Sequence, residues 1–185
     1  MKTILVLGDS LSDGFQLKRS EAYPALIANK LRDAGLNLQV TNASATGGTT
    51  HLNRKIDIFI LELGINDAFR GVPVGQIQNN LQQIIDRVKA RNPDVRVVIA
   101  GMQLPNYGAD DYVSAFGKMF GELATKNGVA LVPYLLDGVA GDPSLNLLDG
   151  IHPNAAGQKI LAENVWRVLE PIARETAVDP SSHVR

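Results

Sequence analysis

The chain has 185 residues, 45% of them hydrophobic and 20% charged, enough for one globular domain with a sizeable core. A formal net charge of −1 gives no long-range attraction to nucleic acid or to an anionic membrane. The absence of cysteine excludes disulfides, thiolate metal sites and cysteine nucleophiles.

The opening Met1-Lys2-Thr3-Ile4-Leu5-Val6-Leu7 joins a basic residue to an apolar stretch. Gly8-Asp9-Ser10 breaks that stretch too soon for the apolar region of a signal peptide, about 7–15 residues, so the sequence is expected to carry no export leader. This suits a cytoplasmic protein, and equally a periplasmic or secreted one already trimmed. No apolar run approaches the roughly 18 residues that cross a bilayer, and no stable membrane insertion is expected. Residues 4–7 read as a first strand, and Leu26, Ile27, Leu31 and Ala34 as one face of a first helix. Strands follow at 38–40 and 58–63. Residues 74–92 form the clearest amphipathic helix, with Val74, Ile77, Leu81, Ile84, Ile85 and Val88 on one stripe. After a strand at 95–100, a helix carrying Val113, Phe116, Phe120 and Leu123 ends at Asn127-Gly128, a helix-terminating pair. A fifth strand spans 129–132, and the last helix starts at Pro153-Asn154 with Ile160, Leu161, Val165, Val168 and Leu169 inward.

The strand runs are mostly continuous rather than alternating, as in strands buried on both faces. Strand and helix alternate, which implies a parallel sheet covered by helices on both sides. One domain over 1–174 is expected, followed by a polar tail, 175–185, containing Pro180-Ser181-Ser182. One connection is short. Eight residues, Thr49 to Ile56, separate Gly48 from the strand beginning near Asp57, whereas a parallel crossover takes about a dozen or more.

In open parallel sheets the chemistry gathers at the carboxyl ends of the strands. Four polar clusters fall there: Gly8-Asp9-Ser10, Asn42 to Gly48, Gly64-Ile65-Asn66-Asp67 and Asp149-Gly150-Ile151-His152. Each alone has an ordinary explanation. Gly-Asp-Ser and Asp-Gly are turn residues, Asn66-Asp67 is a candidate helix cap, and His152 before Pro153 a candidate surface residue. Together, Gly-Asp-Ser, Gly-x-Asn-Asp and Asp-x-x-His-Pro arise by chance on the order of once in 10⁵ such chains.

On these residues the chain resembles the SGNH (GDSL-like) hydrolases, and within them the bacterial multifunctional thioesterase/lysophospholipase/arylesterase subgroup. The likeness runs from about Ile4 to Leu169 and includes Leu61-Glu62-Leu63-Gly64, Phe69-Arg70-Gly71 and Leu104-Pro105-Asn106-Tyr107-Gly108. It implies a flavodoxin-like three-layer α/β/α sandwich with a five-stranded parallel sheet. The order 2-1-3-4-5 follows from the alternation and from the need to bring Ser10 and His152 together. It also implies a catalytic triad of Ser10, Asp149 and His152, with an oxyanion hole formed by Ser10, Gly47 and Asn66. Relatives carry a helix where this chain has only residues 49–56. The helix is either deleted or missing from the sequence, and a break in the backbone between about Gly48 and Asn53 is expected in the second case.

The residue chemistry agrees with the resemblance. A serine hydroxyl needs a base to take its proton during attack. Of the three histidines, only His152 has a carboxylate in a tight turn beside it, since His51 lies in the short crossover and His183 in the tail. A glycine at 47 lets a backbone donor approach substrate. Asp9 reads as a brace for the turn rather than a reacting group, and Asp67 likewise. Phe69, Val72, Pro73, Leu104 and Tyr107 are expected to form an apolar wall for substrate, and Arg70 is a candidate for an anionic group, against the plainer reading of a solvated loop residue. The expected partner is a small ester or thioester, with no cofactor and no metal. A carbohydrate O-deacetylase is the alternative on the same fold. A phosphoacceptor receiver module using Asp9 or Asp67 would leave Ser10, Gly47 and His152 unexplained.

Overall fold

The computed structural model describes residues 1–44, 55–105 and 110–178. Its centre is one parallel sheet of β1 (Lys2–Gly8), β2 (Leu38–Asn42), β3 (Ile58–Glu62), β4 (Arg96–Ala100) and β5 (Ala130–Val132). The order is β2-β1-β3-β4-β5, as expected for a flavodoxin-like sandwich. β3 is buried along its whole length, which accounts for its unbroken apolar run. β2, at one edge, is buried fully only at Leu38.

Around the sheet lie α1 (Ser10–Asp13), α2 (Tyr23–Asp33), α3 (Ile65–Phe69), α4 (Val74–Arg91), α5 (Asp111–Asn127) and α6 (Ala155–Ala177), with a 3₁₀ turn at Arg19–Glu21. The stripe read in α4 is real, with Ile77, Leu81, Ile85 and Val88 buried. α5 begins on Asp110, whose side chain accepts from Tyr112 N–H, and ends on Gly128 in the left-handed conformation. α6 starts where Asn154 caps it, its Oδ1 accepting from Ala156 and Gly157 N–H. Its far end corrects the expected tail boundary. The helix continues to Ala177, three residues into the segment 175–185, and Glu175 pairs with Arg96 at 3.0 Å. No described helix is long and apolar enough to cross a membrane.

Residues 49–54 of the short crossover, Gly47, Tyr107 and His183 lie outside the described residues, and with them the expected break between Gly48 and Asn53.

Candidate active site

Two strand ends and one late loop supply the described polar groups. After β1, Asp9 caps α1, with Oδ1 accepting from Leu11 N–H at 3.0 Å. Ser10 is therefore the first residue of a helix, and its backbone N–H has no carbonyl a turn earlier to bond. Gly8 at the end of β1 permits a close approach. A Cβ there would overlap Ser12 Oγ and Glu62 Oε2. After β3, Gly64 adopts φ +116 and opens α3, placing Asn66 in its first turn. No side chain caps this helix, so the capping role available to Asn66 in the sequence is not used. Its Nδ2 instead donates to Asp9 Oδ2 at 2.9 Å. One amide hydrogen remains for another acceptor.

The loop before α6 is built as a tight turn. Gly150 is left-handed at φ 69, and Asp149 Oδ1 accepts from Ile151 and His152 N–H at 2.9 and 3.0 Å. Leu147 N–H donates to the His152 carbonyl at 2.7 Å, and Asn146 bridges Pro153. The His152 ring thus projects from a fixed frame. Its Nδ1 lies 2.7 Å from Asp149 Oδ2 and its Nε2 lies 3.0 Å from Ser10 Oγ, across 142 positions of sequence. With the Nδ1 proton donated to the carboxylate, Nε2 carries the lone pair that faces the serine hydroxyl. The His152 backbone donor, then that of Ile151 and the His152 ring, pull the Asp149 carboxyl from 3.8 to about 2, so it is ionised in any ordinary buffer.

Two features link serine and histidine that sequence patterns do not mark. Gln158 of α6, 1% exposed, accepts from Tyr23 N–H at 2.8 Å and donates to the Leu11 carbonyl at 3.0 Å. It ties the helix behind His152 to the one bearing Ser10. Phe15 lies against the His152 imidazole, with ring centroids 4.4 Å apart and a tilt of 34°. The neighbouring Gln16 is the only non-glycine among the described residues with positive φ, 60°, which marks this loop as held by its surroundings.

The serine–histidine contact opens on a cavity of about 500 Å³, ordinary for a small-molecule site. Ile65, Phe69, Met102, Leu104, Tyr134 and Ile151 contribute its apolar wall, with Ser10, Asn66 and His152 at one side. Phe69 and Leu104 were expected there. Met102 and Tyr134 were not, although both follow strand ends where such residues gather. Burial, then the charge of Asp137, raises the Tyr134 phenol above its usual range. Three expectations are corrected. Val72 and Pro73 do not line the cavity, and the Val72 carbonyl accepts from Tyr112 OH at 2.6 Å. Arg70 also stays off the wall. Its side chain is 75% exposed and, among the described residues, pairs only with Asp67, at 4.0 Å. A larger cleft of about 820 Å³ lies at the opposite rim among Lys2, Asp57, Arg91 and Arg96. It holds no paired nucleophile and base, so the chemistry selects the smaller one.

Residues 6–160 match the model of the GDSL-like lipase/acylhydrolase family. The chain belongs to that family. It is 38% identical over 182 residues to an esterase, TesA, of Pseudomonas aeruginosa, spanning 92% of this chain and 89% of the relative. It is 34% identical over 184 residues to the Escherichia coli K12 protein named thioesterase 1/protease 1/lysophospholipase L1, spanning 92% and 84%. A crystal structure of TesA superposes with a TM-score of 0.84 at 36% identity, covering 92% of this chain and 99% of the other. Family membership excludes the receiver-module reading, and Asp9 carries the turn instead.

Proposed function

We propose that the protein hydrolyses carboxylic esters and thioesters through an acyl intermediate on Ser10, with short-to-medium acyl and aryl esters preferred and lysophospholipids within range. The observation that carries this is the continuous line from Asp149 to His152 to Ser10, 2.7 and 3.0 Å, at the mouth of an apolar cavity.

Ser10 Oγ attacks the ester carbonyl while His152 Nε2 takes its proton. Asp149 holds the tautomer and stabilises the imidazolium. The carbonyl oxygen, now negative, receives hydrogen bonds from Ser10 N–H, Gly47 N–H and the free amide hydrogen of Asn66. Collapse expels the alcohol or thiol, which receives the proton from His152. Water then attacks the acyl-serine by the same route and releases the acid. Each bond made or broken is served by a named group of the chain, so the sequence of steps calls for no cofactor.

The relatives' names, esterase, thioesterase and lysophospholipase, support the ester and thioester classes. The modest cavity wall favours short and medium chains. Rates on p-nitrophenyl esters are expected to peak at short-to-medium acyl length and fall by palmitate. A steady rise to palmitate, or activation at a lipid interface, would overturn the chain-length part. Retention of most ester hydrolysis by a folded Ser10→Ala variant would overturn the whole reading.

A further inference from the structure

Glu62 ends β3 in register with Gly8, and its side chain is fully buried. Its Oε2 accepts from Asp9 N–H at 3.2 Å and from Ser12 Oγ at 2.6 Å. Ser12 Oγ is in turn 2.8 Å from Tyr23 OH, which fixes the tyrosine as donor once Ser12 donates to Glu62. Oε1 is buried and has no hydrogen-bond partner among the described residues. No lysine or arginine among the described residues pairs with this carboxyl; the titratable groups that face it are Asp9 and Tyr23, with His152 beyond Asp9.

A buried carboxylate with one unmet oxygen and an acidic neighbour is a costly arrangement. Protonating Glu62 converts an acceptor without a donor into a donor, and the acidic neighbour is Asp9, whose own N–H already meets Glu62 Oε2 at 3.2 Å. Asp9 is the better anion of the two, because Leu11 N–H and the Asn66 amide already donate to it. Burial first, then the charge of Asp9, pushes the Glu62 carboxyl well up, in the same direction.

We infer that Glu62 is a positioning residue held as the neutral acid: it donates its O–H to the Asp9 carboxylate, and Asp9 so fixed aims the Asn66 amide at the oxyanion. This rests on the proposed acyl-Ser10 reaction, for which Asn66 is a donor. Two adjacent anions at this turn would instead repel, and Asp9 would swing off Asn66. The pattern Leu61-Glu62-Leu63-Gly64 thereby acquires a reason that no charged surface position would have.

Glutamine tests this because it reproduces the neutral acid, with an oxygen for Asp9 N–H and Ser12 and an N–H for Asp9. Glu62→Gln is expected to keep kcat within about threefold of the wild type at neutral pH. Glu62→Ala is expected to lower kcat roughly 10- to 100-fold with little change in KM, as loss of an interaction formed in the transition state does. Placed on Asn66→Ala, it should cost no more than about twofold further, since both act on one donor. Infrared spectra at pH 7 should show a protonated-carboxyl C=O band that Glu62→Gln removes, a readout independent of turnover. Glu62→Gln as damaging as Glu62→Ala, full additivity with Asn66→Ala, or no such band would each overturn the inference. If Glu62→Ala does not fold, Glu62→Gln and the band decide. Failure of the serine reading would appear separately, as activity surviving Ser10→Ala.

Discussion

Replacing Asn66 by alanine separates a role in the barrier from a role in the fold. The side chain is exposed and, among the described residues, makes one hydrogen bond, to Asp9 Oδ2 at 2.9 Å. Losing that bond costs about 0.5–1.5 kcal/mol of stability, which for a chain of this size lowers Tm by roughly 1–6 °C. Its second amide hydrogen meets the substrate oxygen closely only when charge develops there. The effect should therefore appear as a fall in kcat of about 10²–10³, or roughly 2.7–4 kcal/mol, with little change in KM. Asn66→Asp should be worse, because a carboxylate would face the oxyanion with like charge. The assay is kcat, KM and Tm on one preparation, with a p-nitrophenyl ester as substrate. An unchanged kcat with a lowered Tm would refute the oxyanion role and leave Asn66 as a brace for the Asp9 turn.

Asp149→Asn should cut kcat by up to about 10⁴-fold while leaving a folded protein, because the amide would favour the wrong imidazole tautomer. The Asp149 carboxyl is depressed in the folded state, so the stability it contributes is present above 3.8 and is lost as pH falls toward about 2. The stability gap between wild type and Asp149→Asn should accordingly close over that window in acid titrations followed by circular dichroism. Gln158→Leu leaves Tyr23 N–H and the Leu11 carbonyl unpaired in the interior, and should cost about 1–3 kcal/mol for each in denaturant unfolding. A loss below 1 kcal/mol would mean that water replaces both bonds. His152→Ala should leave a folded protein by circular dichroism with ester hydrolysis near background, because no other group among the described residues is placed to take the Ser10 proton.

The sheet was legible because β3 and β4 must be apolar on both faces, and the helices because α4 and α5 each need one apolar stripe. The catalytic candidates were legible because their geometry is local. Asp149 and His152 are three apart in one turn, and Asp9 caps the helix that Ser10 begins. Cap, turn and tautomer chemistry are written in neighbouring residues. What the sequence hid depends on contacts between distant elements. Gln158 meets Tyr23 and Leu11 across 135 and 147 positions, and Glu62 meets Asp9 across 53. Nothing in Leu-Glu-Leu tells a buried acid from an exposed one. Arg70 failed for a related reason. Its sequence neighbours Phe69 and Asn66 reach the cavity, but the helix turns Arg70 toward solvent and Asp67. Glu175 and Thr176 are polar, so the sequence suggests a tail where the helix in fact continues. α6 tolerates them on its exposed side, and Glu175 gains Arg96.

The central claim is that a covalent acyl group forms on Ser10. Intact mass spectrometry after treatment with an alkyl phosphonate ester, followed by peptide mapping, tests it most directly. The account predicts one phosphonyl group per chain, on the peptide containing Ser10, with activity lost in proportion and no labelling of Ser10→Ala. Ester hydrolysis that persists unlabelled, or a label on another residue, would contradict it.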